Sequence, residues 1–288
     1  MTTAYKNLPP DDIDPSKQMY DTALGRSPGL GRMRGRRVLV VGAGQREVAD
    51  EHPPIGNGRA ISRLLGREGA QLVCLDSSKA AAERVTREIE AEGGKAFSMV
   101  ADVSNVSAIT PIVERSAELL GGLDGLVLNV GIASATLTDI TSDNWDQVFA
   151  VNVRSHMWFA KAALEIMEPG SSIILISSRA GMRPGSRMPA YEASKAAQYQ
   201  LARTIALEGE PRAIRCNCVV VGPIDTPMGR DEARKRPNRA SSVAFGRQGT
   251  AWEIAYPVMF LLSREASYIN AQCLVVDGGQ FYGVARAK

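Results

Sequence analysis

The sequence predicts an α/β fold, a single domain built on a doubly wound parallel sheet with helices on both faces. Seven short apolar runs alternate along the chain with longer helical stretches. Most of the runs are apolar on both faces, as expected of strands covered by helices on each side. Strand–helix–strand connections of this kind are right-handed crossovers, so the alternation builds one open sheet. The chain has no internal repeat and no second compositional region, which is consistent with one domain.

The predicted elements follow one another from residue 37 onward. The strands are 37–41, 71–75, 96–100, 125–129, 172–176, 215–221 and 272–276. The helices lie near 58–68, 79–92, 105–120, 143–167, 190–209 and 251–263. Residues 1–35 are rich in Pro, Gly and charge and lack periodicity, so we assign them to an N-terminal arm. This arm is either disordered or packed against a partner subunit, and residues 36–288 form the domain proper.

Composition excludes several classes of protein. Of the 288 residues, 44% are hydrophobic and 23% are charged, which rules out disordered, collagen-like and coiled-coil chains. Lys and Arg number 34 against 31 Asp and Glu, an excess too small to indicate a nucleic acid or an anionic membrane as partner. No apolar run approaches the roughly 20 residues of a membrane helix, and the N-terminus has no signal-peptide core. We therefore expect a cytoplasmic protein.

The four cysteines predict reduced structural thiols and no metal site. Cys74 and Cys273 lie in apolar runs and are expected to behave as small buried hydrophobic residues. We expect Cys216 and Cys218, on one strand, to point to opposite faces of the sheet, which disfavours a shared metal ion.

Two groups of glycines follow the first strand and predict a phosphate site. Gly42 and Gly44 come directly after the strand, and Asn57 and Gly58 open the next helix. Glycines let a backbone approach a pyrophosphate closely, and a helix N-terminus offers unpaired N–H groups to an anion. An insert at 46–55 separates the two groups, and we expect it to bulge out beside the phosphates.

An acidic residue ends the second strand, at the position from which a side chain reaches the ribose of a bound dinucleotide. Asp76, followed by Ser77, would accept hydrogen bonds from the ribose hydroxyls and would repel a 2′-phosphate. No Arg or Lys stands immediately beside it, although Lys79 is near. This pattern favours NAD over NADP as the cofactor. The alternative is that Asp76 only caps the helix that begins at residue 79.

Two further strand ends carry side chains that could line the adenine and its ribose. Asp102 and Val103 follow the third strand, and Asn129 and Gly131 follow the fourth. In doubly wound sheets, ligands bind beyond the carboxyl ends of the strands, where the strand order reverses. Each of these sites is also an ordinary strand-to-loop junction.

A tyrosine and a lysine at helical spacing form the most specific candidate for a catalytic pair in the chain. Tyr191 and Lys195, four residues apart near the start of a helix, share one helical face. A cation beside a phenol favours the phenolate, which makes the tyrosine usable as a general acid or base. Ser178 ends the strand upstream, and its hydroxyl could bond the same substrate oxygen. Taken alone, this spacing more often marks a surface pair than a site.

The sequence resembles the short-chain dehydrogenase/reductase (SDR) family, whose members have a Rossmann fold, over about residues 36–279. The motifs that carry the resemblance occur in the family's order: the glycine motif from Gly42 to Gly58, Asp102-Val103, Asn129-Val130-Gly131, Asn152, Ser178, Tyr191, Lys195, the segment from Gly222 to Thr226, and Val276-Asp277-Gly278-Gly279. The insert at 46–55 departs from the family's pattern.

The resemblance implies a catalytic tetrad of Asn152, Ser178, Tyr191 and Lys195. Tyr191 would exchange a proton with the substrate oxygen while hydride passes between the substrate carbon and the nicotinamide. Lys195 would bond the nicotinamide ribose and favour the Tyr191 phenolate, so both residues also belong to the cofactor site. Ser178 would orient the substrate oxygen, and Asn152 would hold a water that relays protons from Lys195.

The resemblance also extends the cofactor site beyond the glycine motif. Ile224 and Thr226 lie in the segment that contacts the nicotinamide carboxamide in the family.

A homo-oligomer, most commonly a tetramer in this family, is a further implication. The predicted helical stretch 143–167 carries more apolar groups than one face of a sheet readily covers, namely Val148, Val151, Met157, Phe159 and Ala160. A helix of a second subunit would bury the remainder.

We therefore expect an NAD(H)-dependent oxidoreductase that acts on a secondary alcohol or ketone. Two alternatives stay open. One is an NADPH-dependent 3-oxoacyl-thioester reductase, which Asp76 disfavours. The other is a non-catalytic dinucleotide-binding regulatory module, which the complete tetrad disfavours.

Two remaining features have more than one explanation. His156, four residues after Asn152, could be a catalyst, but a packed or solvent-facing side chain explains it better. A basic cluster after Thr226 either attracts an anionic substrate or is a solvated loop, and it comprises Arg230, Arg234, Lys235, Arg236 and Arg239.

Overall fold

All seven predicted strands form, and they lie side by side in one parallel sheet. The computed structural model describes residues 19–49, 52–235 and 240–283. The strands of the main sheet are β1 (Arg37–Val41), β2 (Gln71–Asp76), β3 (Lys95–Val100), β4 (Gly125–Leu128), β5 (Ser172–Ser178), β6 (Arg215–Val221) and β9 (Cys273–Val276). Two short strands that the sequence did not predict, β7 (Ile224–Asp225) and β8 (Gly249–Thr250), form a separate pair.

Helices connect the successive strands of the sheet. They are α1 (Asn57–Arg67), α2 (Lys79–Ala91), α3 (Ile109–Leu120), α4 (Ser142–Phe149), α5 (Ser155–Ile166), α6 (Pro189–Gly209), α7 (Pro227–Lys235) and α8 (Ala251–Leu262). The apolar residues of β1 alternate between two cores. One core joins the sheet to α1, α2 and α8, and the other joins it to α3, α5 and α6. The prediction of a doubly wound sheet is confirmed.

The order of the strands fixes where a ligand would bind. Along the sheet the order is β3-β2-β1-β4-β5-β6-β9, so the direction of winding reverses between β1 and β4. Two connections leave the sheet to opposite faces at that point, and a crevice opens beyond the carboxyl ends of the strands.

The helical stretch predicted at 143–167 is not one continuous helix. Between α4 and α5 the chain makes a π-helical turn over Ala150–Arg154, in which the N–H of Ser155 bonds the carbonyl of Ala150. Such wider turns within helices are frequent at functional sites.

Four of the five apolar groups named for this stretch are already covered by their own chain. Val148, Val151, Phe159 and Ala160 are at most 5% exposed, because α5 packs against α3 and α4 packs against α6. The expectation that they exceed what one chain can cover is therefore wrong for these four, whereas Met157 is partly exposed.

The described part of the predicted arm, residues 19–35, packs against α1 and α8 of the same chain. Met33 is fully buried in the core on the α1 side of the sheet. The buried carboxylate of Glu68 accepts hydrogen bonds from the backbone N–H groups of Leu30 and Arg32, each at 3.0 Å, and from the Arg32 guanidinium. Residues 1–18 lie outside the described residues, and the division at 35/36 stays a prediction.

The cysteines correct one expectation. Cys216 and Cys218 belong to the same core on one side of the sheet, because side chains alternate along a strand and residues two apart share a face. The expectation that they point to opposite faces was wrong. All four cysteines are unpaired thiols, and burial raises the pKa of Cys74 to about 12.

In the described part of the chain, no helix has the length and apolar character required to cross a membrane.

Candidate active site

A cleft of about 400 Å³ opens at the carboxyl ends of the central strands. Most of the residues that the sequence singled out line it together: Gly42, Gly44, Asn57, Gly58, Asp76, Asn129, Gly131, Ser178, Tyr191, Lys195, Ile224 and Thr226. The glycines and Asp76 lie beside β1 and β2, whereas Ser178, Tyr191 and Lys195 lie beside β5 and α6.

The two glycine groups bring three backbone segments into contact. Gly42 has φ +80°, which favours glycine. A Cβ on Gly58 would lie 1.9 Å from the carbonyl oxygen of Gly42, so no other residue fits there without moving the backbone. The side chain of Asn129 donates to the same carbonyl at 2.7 Å. The end of β1, the start of α1 and the end of β4 are thus held together at the head of the cleft.

The insert at 46–55 is closed at its base by the side chain of Gln45. Its Nε2 donates to the carbonyl of Pro54 at 3.1 Å, and its Oε1 accepts from the N–H of Gly56 at 2.6 Å. The insert therefore leaves the glycine loop and returns to it at one point. Further out, the Arg46 guanidinium bonds the carbonyl of Pro227 at 3.0 Å and the carboxylate of Asp231, which connects the insert to α7.

Asp76 is held in place by the backbone and is not the cap of α2. One carboxylate oxygen accepts from the N–H of Gly44 and the other from the N–H of Ser78, each at 3.0 Å. The cap is Ser78, whose side chain accepts from the N–H of Ala81. Asp76 therefore lies at the cleft wall as a half-buried carboxylate with a fixed position.

The residues at this end of the cleft fit a dinucleotide. Gly44 and Gly58 line the cleft without side chains of their own, and Gly58 lies in the first turn of α1, beside a helix N-terminus. The side-chain oxygen of Asn57, in the first turn of α1, is buried without a hydrogen-bond partner in the described part of the chain. Asp76, the last residue of β2, offers carboxylate oxygens as hydrogen-bond acceptors for a ribose.

Strand β5 and helix α6 are locked together where the catalytic candidates lie. Ser177 donates its hydroxyl to the carbonyl of Lys195 at 2.8 Å, and the Tyr199 hydroxyl bonds the carbonyl of Ser178. A Cβ on Gly181 would lie 2.5 Å from the backbone nitrogen of Ala196. This close approach fixes the end of β5 relative to the first turns of α6.

Tyr191 and Lys195 share one face of α6, as their spacing predicts. The Nζ atom of Lys195 lies 5.8 Å from the centroid of the Tyr191 ring. Lys195 is only 4% exposed, and burial lowers its pKa to about 8. Its Nζ donates to the carbonyl of Ile176 at 2.9 Å and to Oε1 of Gln198 at 3.3 Å.

Asn152 lies behind the cleft wall, fully buried in the π-helical turn. Its side chain accepts from the N–H of Ile132 at 2.8 Å and donates to the Ile132 carbonyl at 3.0 Å. It also donates to the Ser194 hydroxyl at 3.0 Å. These bonds hold the loop after β4 against α6. Asn152 therefore supports residues of the cleft wall without lining the cleft itself.

Comparison with known proteins decides the family. A family model described as "Enoyl-(Acyl carrier protein) reductase" matches residues 55–280. Versicolorin reductase stcU of Emericella nidulans is 33% identical over 87% of this chain and 97% of that protein. The chain belongs to the short-chain dehydrogenase/reductase family.

Other SDR relatives have different named activities. Cyclopentanol dehydrogenase of a Comamonas species is 32% identical, over 87% of this chain and 98% of that protein. The 3-oxoacyl-(acyl-carrier-protein) reductase FabG of Thermotoga maritima is 32% identical, over 86% and 98%.

Solved SDR structures share the fold. An SDR from Burkholderia xenovorans superimposes with a TM-score of 0.81 at 30% identity, covering 90% of this chain and all of that one. A short-chain dehydrogenase from Burkholderia cenocepacia in complex with NADP gives 0.79 at 32% identity, covering 86% and 99%.

Besides Asn152, three of the predicted site residues do not line the cleft. Ser77 and Asp102 are exposed, and a carboxylate oxygen of Asp102 accepts from the N–H of Ser104 at 2.9 Å. Val103 is buried in the core on the α3 side. Their assignment to the cofactor site stays a prediction.

Several polar residues of the cleft wall, among them Gln45, Arg183 and Glu232, were not predicted from the sequence. Gln198, behind the wall, was not predicted either. It follows Lys195 by three residues on the same helical face, and that spacing was the available signal. His156, which the sequence left open, is fully buried and bonded to Gln198 and to the carbonyl of Val130.

The basic cluster after Thr226 is partly neutralised within the chain. Arg230 makes two bonds to the carboxylate of Asp225, at 2.8 and 3.1 Å, and Arg234 bonds Asp231 at 3.0 Å. Arg236 and Arg239 lie outside the described residues, as does the side chain of Lys235.

Proposed function

We propose that the protein is an NAD(H)-dependent oxidoreductase that interconverts a secondary alcohol and a ketone. The observation that carries this proposal is the position of Ser178, Tyr191 and Lys195 on one wall of a cleft whose other end holds Asp76. A proton-transferring group and a ribose-binding carboxylate are thereby joined by a continuous surface.

Each catalytic candidate in the cleft has its own role in the proposed reaction. Bound in this cleft, a nicotinamide dinucleotide would supply the hydride acceptor for oxidation and the hydride donor for reduction. Tyr191 takes the proton of the alcohol hydroxyl, or returns it to the ketone oxygen. The Ser178 hydroxyl bonds the same oxygen and orients it. The Lys195 ammonium, buried among neutral groups, stabilises negative charge on the phenol oxygen more strongly than it would in water.

The choice of NAD rests on Asp76. A 2′-phosphate within hydrogen-bond reach of this carboxylate would bring two anions together. The bond from the N–H of Gly44 holds the Asp76 side chain at this place. The Burkholderia cenocepacia relative was solved with NADP. We infer that this chain differs from that relative in its cofactor.

A second candidate function is the reduction of a 3-oxoacyl thioester with NADPH. It is favoured by the named activity of the Thermotoga maritima relative. It requires the phosphorylated cofactor that Asp76 disfavours. A non-catalytic binding module is the third candidate, and the presence of the tyrosine, lysine and serine in one cleft argues against it.

One assay separates the three candidates. The purified protein is offered NAD with a panel of secondary alcohols that includes cyclic ones, and separately NADPH with 3-oxoacyl thioesters. Reduction of NAD by an alcohol supports the proposal, whereas turnover of a thioester with NADPH alone favours the second candidate. Cofactor binding without turnover on either panel favours the third.

We further propose a homotetramer, on the ground of the family's common assembly, and a cytoplasmic location, on the ground of the sequence. In the described chain, α4 and α6 leave large apolar side chains in solvent, among them Trp145 and Leu207. A helix of a second subunit would cover such groups.

A further inference from the structure

A buried amide connects the asparagine and the lysine of the candidate tetrad. Gln198 lies on the inner face of α6 and is fully buried. Its Nε2 donates to the backbone carbonyl of Asn152 at 2.6 Å and bonds Nδ1 of His156 at 3.0 Å. Its Oε1 accepts from Nζ of Lys195 at 3.3 Å. The resemblance to the SDR family assigns the connection between Asn152 and Lys195 to a water.

The direction of every bond in this network follows from two backbone carbonyls. The carbonyl of Val130 can only accept, so Nε2 of His156, 3.1 Å away, must carry the hydrogen. Nδ1 of His156 then has a lone pair and accepts from Gln198. The carbonyl of Asn152 also only accepts, so the Gln198 nitrogen faces both groups. The Gln198 oxygen is left with one direction, toward Lys195.

The histidine holds this orientation because it is neutral. Burial, followed by the positive charge of Lys195, lowers the pKa of His156 to about 3. A protonated ring would donate from both nitrogens and would turn the amide of Gln198 around. Its oxygen would then no longer face Lys195.

The surroundings of Lys195 offer little else to hold its charge. The ionisable groups that face it are Tyr191 on its own helix, His156 on α5 and Cys218 on β6. Within the described ranges, no carboxylate pairs with its ammonium. Two of its three N–H groups are bound by neutral oxygens, those of Ile176 and Gln198.

We propose that Gln198 is a positioning residue, which holds the Lys195 ammonium toward the cleft with its amide oxygen and replaces the relay water with a fixed amide link to Asn152. This inference rests on the proposed function, in which Lys195 stabilises the Tyr191 phenolate. A leucine or methionine would fill the same volume without needing partners, whereas a buried amide is tolerated only when its groups are bonded. Here both hydrogens of the amide and its oxygen are bonded.

The test compares Gln198→Met with a matched control on the same helix. Gln200→Met makes the same substitution at an exposed position of α6. The first readout is the titration of the Lys195 ammonium in the cofactor-free protein, followed by NMR at its side-chain carbon and assigned with Lys195→Arg. Loss of one charge-assisted hydrogen bond should lower the titration midpoint by about one pH unit in Gln198→Met and leave it unchanged in Gln200→Met.

The second readout is the pH profile of kcat/KM for alcohol oxidation. An ammonium that is less well held stabilises the Tyr191 phenolate less. The rising limb of the profile should therefore move to higher pH in Gln198→Met, and kcat/KM at neutral pH should fall about tenfold. A purely structural role would lower kcat/KM at every pH without moving the limb. If Gln198→Met does not fold, His156→Phe removes the acceptor that orients the amide and should shift both readouts in the same direction.

An unchanged Lys195 midpoint in the folded variant overturns the inference, even if activity falls. Failure of the proposed function has a different signature, because wild type would then reduce no cofactor while the NMR titration still reports on Gln198.

Discussion

The backbone N–H of Gly44 donates to a carboxylate oxygen of Asp76 at 3.0 Å, and a Cβ on Gly44 would lie 2.9 Å from that same oxygen. The glycine loop and the acidic residue at the end of β2 are therefore one unit. The same Cβ would lie 2.6 Å from the Cβ of Ala81, so any larger residue at 44 would displace Asp76, the first turn of α2, or both. Because two backbone N–H groups bond the carboxylate, its negative charge stays at this end of the cleft.

The fixed carboxylate predicts a preference for NAD over NADP. We expect wild type to show at least about a tenfold higher kcat/KM with NAD, since like charges at close range disfavour the 2′-phosphate. The double variant Asp76→Ala, Ser77→Arg should shift this ratio toward NADP, and Ser77→Arg alone serves as its control. Equal kcat/KM values of wild type for the two cofactors would count against the role of Asp76.

Glu68 predicts how firmly the N-terminal segment is attached. The fully buried carboxylate holds the N–H groups of Leu30 and Arg32 and the Arg32 guanidinium. Glu68→Gln should lower the free energy of unfolding by about 1.5–3 kcal/mol, because charge-assisted bonds are lost. Glu92→Gln, at a more exposed carboxylate that pairs with Arg63 and Arg67, should cost less than about 1 kcal/mol. Denaturant titration measures both, and equal losses would show that burial of Glu68 adds nothing.

The same glutamate predicts an acid dependence. Burial raises the pKa of Glu68, but the bonds from Arg32 and from the two N–H groups outweigh this effect and hold the pKa below its usual value of 4.5. A depressed pKa means that the stabilisation is complete above the unfolded value and is lost as the pH falls through the folded one. The advantage of wild type over Glu68→Gln should therefore be constant near neutral pH and shrink below about pH 4.5. A difference that stays constant down to pH 2–3 would contradict this.

The assembly prediction concerns mass in solution. Light scattering at micromolar concentration should give four times the chain mass of 30.9 kDa. Removing residues 1–18 leaves the Glu68 contacts intact and tests whether the rest of the predicted arm contributes to assembly. A mass near 30.9 kDa for the full chain would refute the tetramer.

The sequence predicts those features that depend on local pattern. The apolar runs place every strand of the main sheet within two residues of its observed ends, and the spacing of Tyr191 and Lys195 places both on one helical face. The π-helical turn at Asn152 could not be predicted in this way, because it depends on bonds to Ile132, 20 residues away in the chain. The Glu68 contacts are likewise tertiary, and no single segment encodes them. The spacing of Gln198 and Lys195 is local, but the direction of the Gln198 amide depends on Asn152 and His156, more than 40 residues away in the chain.

The most direct test of the proposed function follows the absorbance of reduced nicotinamide for wild type and Tyr191→Phe, on the same panel of secondary alcohols with NAD. We expect wild type to reduce NAD with at least one alcohol. Tyr191→Phe should lose about 10²–10⁴-fold in kcat while its affinity for NADH stays nearly unchanged, since only the proton-transferring oxygen is removed. Tyr268→Phe, at a fully exposed tyrosine, is the matched control and should retain wild-type activity. Near-normal kcat in Tyr191→Phe, or no cofactor reduction by wild type with any alcohol of the panel, would contradict the proposed function.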